Sequence, residues 1–296
     1  MDFTLEQLRG FVAVADELHF GRAAARLQMT QPPLTRQIQK LERSVDVQLL
    51  ERDNRRVVLT TAGAAFLVEA RRLLALAEAA PELARRVSSG SAGVLRIGFT
   101  AVAAYEALGD VLGAIGRKLP DVDLGLHEMV SRDQIGGLLH EDIDLGLARP
   151  PFDAETFDSR LLRREALLVA LPAGHRLSTL ERSLDAADLA DEPVIMYSPM
   201  EARYFYDLVV GLVPVAHENV VHTVSQILTV VWLVAAGRGI AIVPASAARL
   251  GITEVDFAPL HTPIRDPVEL YLLWLRESRN PALWETLRVL EHHLPR

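Results

Sequence analysis

The sequence of 296 residues predicts an α/β protein that carries an all-α, winged domain at its N-terminus. Two observations predict this fold class. Residues 4–43 contain three short amphipathic patterns with helical spacing, and a strand–turn–strand pattern follows at residues 49–60. From residue 94 onward, apolar strand-like runs alternate with helical patterns, as in a sheet with helices on both faces. We therefore expect a small helical domain followed by a larger α/β domain.

The first two helices are placed by their start signals and spacing. Thr4 and Gln7 have the spacing of a capping box, which predicts that a helix begins there. Gly21 is an acceptable N-cap for the second helix. The predicted inward positions of the two helices are Leu5, Leu8, Phe11, Val12, Ala15, Ala23, Ala24 and Leu27.

A third helix is predicted from Pro32, because proline is favoured at the first helical position, where its missing N–H would have no partner. Its inward residues would be Leu34, Ile38 and Leu41, and its outward face carries Gln31, Thr35, Arg36, Gln39 and Lys40. Arginine can bond guanine, glutamine can bond adenine, and threonine or lysine can hold phosphate. The arrangement predicts a helix-turn-helix whose third helix reads DNA.

Charge patterning also favours a polyanion as the partner of this segment. Residues 18–41 hold four basic side chains and no acidic one, in a chain whose formal net charge is −8. Residues 1–87 carry 13 basic and 11 acidic side chains, whereas the remainder carries 18 basic and 28 acidic ones. DNA binding is therefore expected to be local to the N-terminal domain. The four basic residues are Arg22, Arg26, Arg36 and Lys40.

An ordinary amphipathic helix pair with a solvated basic face would show much of the same pattern. The segment that follows favours DNA binding instead. Residues 49–60 have the pattern of a hairpin with Asp53 and Asn54 in its turn and with Arg55 and Arg56 at its tip. Such a wing can place arginines in a minor groove.

A long helix is predicted over residues 62–87. Apolar residues recur along it at alternating spacings of four and three, which indicates a heptad seam suited to dimerisation; packing on its own domain is the alternative. Pro81 predicts either a kink or a helix that stops and restarts. Residues 88–93 are predicted to be a flexible hinge. The seam residues are Phe66, Ala70, Leu73, Ala77, Ala80, Ala84 and Val87.

The remaining chain predicts a mainly parallel sheet with helices on both faces, which would bind ligands at the carboxyl ends of its strands. Strands are predicted at 94–99, 122–129, 144–148, 161–171, 194–197, 239–243 and 268–275, and helices at 102–119, 201–212, 224–236 and 281–293.

Composition narrows the class of protein further. The absence of cysteine excludes disulfides, thiolate metal sites and cysteine nucleophiles. There is no apolar run long enough to span a membrane and no signal-like segment at the start, so we expect a cytoplasmic protein without a membrane partner.

Several motifs together resemble the LysR-type transcriptional regulators, and the similarity extends over essentially the whole chain. They lie at residues 8–15 (Leu-Arg-Gly-Phe-Val-Ala-Val-Ala), 23–27 (Ala-Ala-Ala-Arg-Leu), 30–38 (Thr-Gln-Pro-Pro-Leu-Thr-Arg-Gln-Ile), 49–52 (Leu-Leu-Glu-Arg) and 59–63 (Leu-Thr-Thr-Ala-Gly). Two positions depart from the family: Gly21 stands where Ser or Thr is usual, and Asp46 stands where glycine usually ends the third helix. The resemblance implies DNA contacts from Gln31, Pro32, Pro33, Thr35, Arg36 and Arg55.

The resemblance also implies the domain organisation. A winged helix-turn-helix over residues 1–61 and a linker and hinge over 62–93 would precede an effector-binding domain over 94–296. That domain would consist of two α/β subdomains similar to those of periplasmic binding proteins, at about 94–163 with 267–296 and at about 164–266. A small-molecule effector would lie in the cleft. The implied partners are double-stranded DNA, the effector and further copies of the chain in a dimer or tetramer, with RNA polymerase as a further candidate.

Strand ends and matches to the branch of the family that senses aromatic compounds and their ring-cleavage acids give the candidate effector residues. They are Thr100, Ala101, Val102, Ser131, Arg149, Arg163, Ser198, Arg203, Tyr204, Phe205 and Gln226, with Arg132, Pro199 and Ser225 as further strand-end positions. Hydroxyls beside helix N-termini can hold an anion, and Arg203 could bond a carboxylate, so we expect a small carboxylate, aromatic or not. Structural ion pairs are the alternative for Arg149 and Arg163, and packing is the alternative for Tyr204 and Phe205.

An enzyme on the same scaffold and a transport-type binding protein are the rival classes. The chain lacks the Gly-rich dinucleotide, phosphate-loop and nucleophile-elbow motifs, and no histidines have metal-ligand spacing. We therefore expect no catalytic residue, no metal and no cofactor. A binding protein would explain residues 94–296 but not the basic third helix. The expected mechanism is transcription control by an effector that changes the angle between subdomains and thereby the bending of DNA.

Overall fold

The computed structural model describes residues 3–53 and 56–293, and divides into two compact units, one ending at Arg85 and one beginning at Arg86. The domain boundaries predicted after residues 61 and 93 would divide the chain into three parts instead of two, and they stay a prediction. None of the helices in the described part of the chain is long and apolar enough to cross a lipid bilayer.

The first unit is built from three short helices, a hairpin and most of a long helix. Its elements are α1 (Leu5–Glu17), α2 (Phe20–Arg26), α3 (Gln31–Val45), β1 (Leu50–Asp53), β2 (Arg56–Leu59) and α4 (Thr61–Ser88). Thr4 and Gln7 form the expected capping box. The predicted hairpin is present, with Leu50 paired with Leu59 and Asp53 with Arg56.

The starts of α2 and α3 differ from the prediction by one or two residues. The N-cap of α2 is His19 rather than Gly21, because the His19 Nδ1 atom accepts the N–H groups of Gly21 and Arg22 at 3.0 and 3.2 Å. The imidazole nitrogen of His19 thus caps the helix in the way that a serine or threonine hydroxyl usually does. In α3 the first helical residue is Gln31, so Pro32 occupies the second position. Asp46 ends α3 in the left-handed conformation, with φ of 53°.

Helix α4 decides between the two alternatives for Pro81, whereas the flexibility expected of residues 88–93 stays a prediction. It runs without interruption through Pro81, so the alternative in which the helix stops and restarts is wrong. Its end is a defined cap: Gly90, with φ of +76°, donates to the Val87 carbonyl, and Ser91 donates to the Arg86 carbonyl. The predicted hinge is therefore a hydrogen-bonded turn between α4 and the next strand.

The second unit contains the remaining strands and helices. These are β3 (Ala92–Phe99), α5 (Ala101–Ala103), a π-helical turn (Ala104–Leu108), α6 (Gly109–Lys118), β4 (Asp121–Glu128), α7 (Ser131–Leu139), β5 (Leu145–Ala148), β6 (Phe157–Glu165), β7 (Leu167–Pro172), β8 (Val194–Tyr197), α8 (Arg203–Leu212), β9 (Val220–Val224), α9 (Ile227–Ala235), β10 (Ala241–Pro244), β11 (Val255–Pro259), β12 (Val268–Leu275) and α10 (Pro281–His293). The helix predicted at 102–119 is thus interrupted by the π-helical turn.

The strands form mixed sheets, so the expectation of a mainly parallel arrangement is wrong. One sheet has the order β4-β3-β5-β12-β6, in which β3 pairs in parallel with β4 and β5, whereas β12 is antiparallel to both neighbours. The other half contains the antiparallel sheet β10-β7-β11 and the parallel pair β8-β9. The strand predicted at 161–171 is two strands, which separate at Ala166 and belong to different sheets.

Candidate nucleic-acid interface and ligand cavity

Helix α3 presents a polar outer face over a fully buried inner one. Leu34, Ile38 and Leu41 are completely buried against α1, α2 and the hairpin. On the outer face Gln31, Pro32, Arg36, Gln39 and Lys40 are exposed, and Pro33 and Thr35 are half-buried. Neither Arg36 nor Lys40 forms an ion pair with any residue in the described part of the unit. The predicted reader side chains are therefore together on one accessible surface.

Two of the four predicted basic residues are already paired. Arg22 lies 3.3 Å from Glu17, and Arg26 lies 3.0 Å from Asp16. Asp16 also accepts a hydrogen bond of 2.6 Å from Arg71. Because these carboxylates stand just before the segment that lacks acidic residues, the sequence pattern overstated its free positive charge.

The hairpin is held to α3 by a half-buried carboxylate. The Glu42 carboxylate accepts the N–H groups of Leu49 and Leu50 at 2.9 and 3.0 Å. This fixes where the hairpin leaves the reader helix. Arg56 is exposed on β2, whereas the predicted wing residue Arg55 lies outside the described residues.

A cavity of about 490 Å³ lies in the second unit at the carboxyl ends of β3, β4, β5, β8 and β9. Its volume is within the range of small-molecule sites. Most of the predicted effector residues meet here, in agreement with the rule that ligands bind at strand ends. The predicted residues that line it are Thr100, Ala101, Val102, Ser131, Arg132, Arg149, Pro199, Arg203, Tyr204, Phe205, Ser225 and Gln226.

The polar wall of the cavity comes from helix N-termini. Residues at the N-terminal ends of α5, α7, α8 and α9 all line it, and helix N-termini carry partial positive charge. The Thr100 hydroxyl caps its helix by accepting the Ala103 N–H at 3.2 Å. The Ser131 hydroxyl accepts the Arg149 N–H at 3.0 Å. Both hydroxyls can still donate a hydrogen bond to a ligand.

Buried Gln134 fixes the geometry of this wall. Its amide nitrogen donates to the carbonyls of Met129 and Leu147 at 3.0 and 3.2 Å, which ties the ends of two strands together. These two hydrogen bonds hold the loop that carries Ser131 in a fixed position relative to the strands.

Arg149 is a buried structural cation at the floor of the cavity, with 3% exposure. It donates to the Glu269 carbonyl at 2.8 Å and lies 3.6 Å from the Glu165 carboxylate. Its guanidinium also covers the rings of Tyr204 and Phe205, at 5.7 and 5.0 Å from their centroids. These contacts favour the structural role that the sequence left open.

The aromatic side of the cavity consists of rings that contact one another. Phe205 stacks on buried Tyr197 at 5.1 Å and meets Tyr204 edge-on at 5.2 Å. Burial raises the pKa of the Tyr204 hydroxyl, which therefore stays neutral at physiological pH.

Two predicted effector residues lie outside the cavity lining. Arg163 pairs with Asp110 of α6 at 3.1 Å, and Ser198 supports a turn by accepting the Glu201 N–H at 3.2 Å. Arg203 does reach the cavity, but its Nε atom donates to Asp207 at 3.2 Å. A sequence position on a strand or before a helix does not reveal such local partners.

Sequence reasoning missed several lining residues. Ile135 lies one helical turn after Ser131, a spacing that could have indicated it, and Pro150 and Pro151 directly follow a strand. Met200 and Glu201 belong to the loop before α8 and carry no such signal. The other lining residues that were missed are Val130, Ala202 and Ile227.

These features define a class of protein: a helix-turn-helix unit with an accessible polar reader helix, joined to an α/β unit with a ligand cavity. The chain matches two family models. The model described as "Bacterial regulatory helix-turn-helix protein, lysR family" matches residues 5–64, and the model described as "LysR substrate binding domain" matches residues 88–295.

Full-length relatives agree with this assignment. The uncharacterized HTH-type transcriptional regulator YnfL of Escherichia coli (strain K12) is 40% identical over 287 residues, covering 95% of this chain and 96% of the relative. AlsR of Bacillus subtilis (strain 168) is 36% identical over 285 residues, covering 94% and 92%. The crystal structure of full-length CbnR with its target DNA has a TM-score of 0.80 and 28% identity, covering 98% and 99%.

The chain belongs to the LysR family of transcriptional regulators. The resemblance inferred from the sequence motifs is thereby confirmed. Its class is a DNA-binding regulator with an effector-binding domain, which also forms oligomers.

Proposed function

We propose that the exposed face of α3 reads operator bases and that the effector is a small organic acid, held in the cavity of the second unit. The observation that carries the ligand class is the convergence of four helix N-termini on one cavity. Helix N-termini attract anions because their N–H groups and dipoles point outward together. Arg132 adds a cation to this wall and forms no ion pair with a described residue.

The apolar residues that line the same cavity support an acid with an apolar body. Tyr204, Phe205, Ile135 and Met200 line the cavity, so a ring or short aliphatic chain can be buried while the carboxylate faces the helix ends. This division matches the usual composition of ligand sites, where apolar contacts give area and a few polar groups give orientation. The predicted contacts of Thr100, Ser131, Arg203 and Gln226 belong to the polar part.

The proposed switch is a change of angle between the two α/β halves when the effector binds. An effector can shift the equilibrium only if it binds one conformation more tightly than the other. The DNA-bound dimer or tetramer would then hold its reader helices differently on the operator. We propose no catalytic role for the cavity, and cytoplasmic action follows from the need to reach the chromosome.

We further propose that α4 is the dimer contact, through a row of exposed apolar residues. Phe66 and Ala70 of the predicted seam belong instead to the core of the first unit, where Phe66 packs edge-on against Phe11 at 5.5 Å. The exposed row repeats at spacings of three and four and consists of Leu73, Leu76, Ala80, Leu83 and Val87.

Titration of the full-length protein with matched ligands tests the ligand class. We expect benzoate to bind, benzamide of the same shape to bind at least about tenfold more weakly, and succinate to compete if the ring is dispensable. Footprinting on the DNA upstream of its own gene, with and without benzoate, tests the switch. Equal affinity for benzoate and benzamide would refute an acid-selective cavity.

A further inference from the structure

On the side of β12 that faces β5, the backbone of Glu269 is held by side chains, while β6 pairs with the other side of the strand. Strand β5 ends at Ala148, opposite Tyr271 of β12. Continuing this register places Glu269 opposite Pro150, which has no N–H to donate. Yet both backbone groups of Glu269 are satisfied: its N–H donates to the Tyr204 hydroxyl at 2.7 Å, and its carbonyl accepts from Arg149 at 2.8 Å.

The bond from Glu269 to Tyr204 links the two α/β halves. Tyr204 lies in the first turn of α8, which packs with β8 in the half that contains the sheet β10-β7-β11. Glu269 belongs to β12 of the five-stranded sheet, immediately after the chain has returned from that half. The Tyr204 hydroxyl also reaches the carbonyl of Pro267, at 3.5 Å, within the returning segment.

The same tyrosine is part of the cavity wall. Its ring lines the cavity, and its hydroxyl holds the crossover strand, so one side chain contacts both the ligand space and a connection between the halves. A ligand that moves the ring must also lengthen or reorient the bond to Glu269.

We propose that Tyr204 is the positioning residue that couples occupation of the cavity to the crossover at β12. The inference rests on the proposed function, because only a ligand in this cavity would give the coupling a role. The Tyr204 hydroxyl replaces a strand partner and sets the resting position of β12. Displacement of the ring releases that position and permits the halves to change their angle.

A substitution can separate the packing role of the Tyr204 ring from the coupling role of its hydroxyl. The ring contacts with Phe205 and Arg149 need no hydroxyl, so Tyr204→Phe keeps them. It removes the hydroxyl, and with it the bonds to Glu269 and to the Pro267 carbonyl in the crossover segment. Tyr271→Phe is the matched control, because the Tyr271 hydroxyl donates to the Glu269 carboxylate at 2.8 Å and leaves the backbone untouched.

The first measurement is amide hydrogen exchange of the ligand-free, full-length protein, resolved at residues 268–270. We expect exchange at Glu269 to be about 3- to 10-fold faster in Tyr204→Phe, as for loss of one neutral hydrogen bond, and unchanged in Tyr271→Phe. Equal exchange in the wild type and Tyr204→Phe would overturn the proposal.

The second measurement is the ligand-free footprint of the same proteins on the DNA upstream of the gene. We expect Tyr204→Phe to change the length of protected DNA or the pattern of hypersensitive cleavage at the DNA bend. Tyr271→Phe should change neither. Faster exchange with an unaltered footprint would leave Tyr204 a structural residue and overturn the coupling.

Benzoate then separates this inference from the proposed ligand class. We expect Tyr204→Phe to lose the footprint response even at benzoate concentrations that saturate the variant, as determined by its own titration. Retention of the full response in Tyr204→Phe would contradict the coupling. If the wild type itself does not bind benzoate, the proposed ligand class fails, and the two ligand-free comparisons still decide the role of Tyr204.

Discussion

Arg26 of α2 donates a hydrogen bond of 3.0 Å to Asp16 of α1, and the same carboxylate accepts one of 2.6 Å from Arg71 of α4. One exposed aspartate thus joins three helices of the first unit. The arginines therefore differ in what they can offer to DNA. Arg26 forms an intramolecular ion pair, whereas Arg36 forms none with a described residue.

We predict that Arg36→Ala relaxes the choice of DNA sequence, whereas Arg26→Ala does not. An arginine that bonds a base edge contributes roughly 1–3 kcal/mol of discrimination, and an exposed ion pair contributes at most about 1 kcal/mol to folding. Affinities for the operator and for a scrambled duplex, measured over a salt series, check both variants. If Arg36→Ala weakened binding equally on both duplexes, the side chain would contact phosphate only.

Local signals placed most of the first unit and the strand ends of the second correctly. The capping box at Thr4 and the helix at 281–293 depend on neighbouring residues alone, and the structure has both where the sequence predicted them. The position of a strand end is also local, so Thr100 and Ser131 could be assigned to the cavity before any contact was known.

The features that were wrong depend on distant partners. The segment 161–171 was assigned as one strand, but it divides at Ala166 because β6 and β7 pair with strands of different sheets, and those partners are distant in sequence. The antiparallel pairing of β12 depends on the return of the chain from the other half. The ion pairs of Arg163 with Asp110 and of Arg22 with Glu17 could likewise not be identified from spacing; the role predicted for Arg163 stays a prediction.

Close packing at Gly63 predicts a stability effect in the first unit. A Cβ atom there would lie 1.9 Å from the Leu49 carbonyl oxygen, which is backbone and cannot move aside. We expect Gly63→Ala to lower the free energy of unfolding by about 1–3 kcal/mol. Gly116→Ala in α6 is the control, because a Cβ there meets nothing within 4 Å, and it should stabilise by up to about 1 kcal/mol. Urea denaturation followed by circular dichroism compares them, and an unaffected Gly63→Ala would contradict the packing.

We predict that the free energy of unfolding at acidic pH depends on the ion pair between Arg182 and Asp188. Its hydrogen bond lowers the pKa of the Asp188 carboxyl to about 2 from an ordinary value of 3.8. A pKa that is lower in the folded state means that the pair stabilises the fold above pH 3.8 and loses that effect as the pH falls toward 2. We expect Arg182→Gln to raise the pKa of Asp188 toward its ordinary value, and Arg176→Gln to change it far less. Carboxyl NMR titration measures both, and an unchanged pKa in Arg182→Gln would exclude the pair in solution.

The exposed row on α4 predicts how oligomers come apart. Leu76 is 68% exposed within one chain and belongs to a row of exposed apolar residues, and contiguous apolar patches mark protein interfaces. We expect Leu76→Asp to raise the dissociation constant of the dimer about tenfold or more, since a carboxylate would be buried without a partner. Ala75→Asp places the same charge on another side of the helix and should have little effect. Sedimentation velocity over a concentration series decides, and equal effects of the two variants would remove α4 as the contact.

Arg132 and Arg163 provide the sharpest test of where the effector lies. Arg132 lines the cavity, in the first helical turn of α7, where a cation is unfavourable for the helix itself; a ligand anion would offset that cost. Arg163 is held by Asp110 and lies outside the lining. A hydrogen bond to a charged group contributes about 1.5–3 kcal/mol, so we expect Arg132→Gln to weaken benzoate binding roughly 10- to 100-fold. We expect Arg163→Gln to leave it within about twofold, since its charge is neutralised by a neighbour. Calorimetry on both full-length variants measures these values. A larger loss of benzoate affinity in Arg163→Gln than in Arg132→Gln would contradict this cavity as the effector site. The comparison is direct because both substitutions replace a guanidinium with an amide, and only Arg132 lines the cavity.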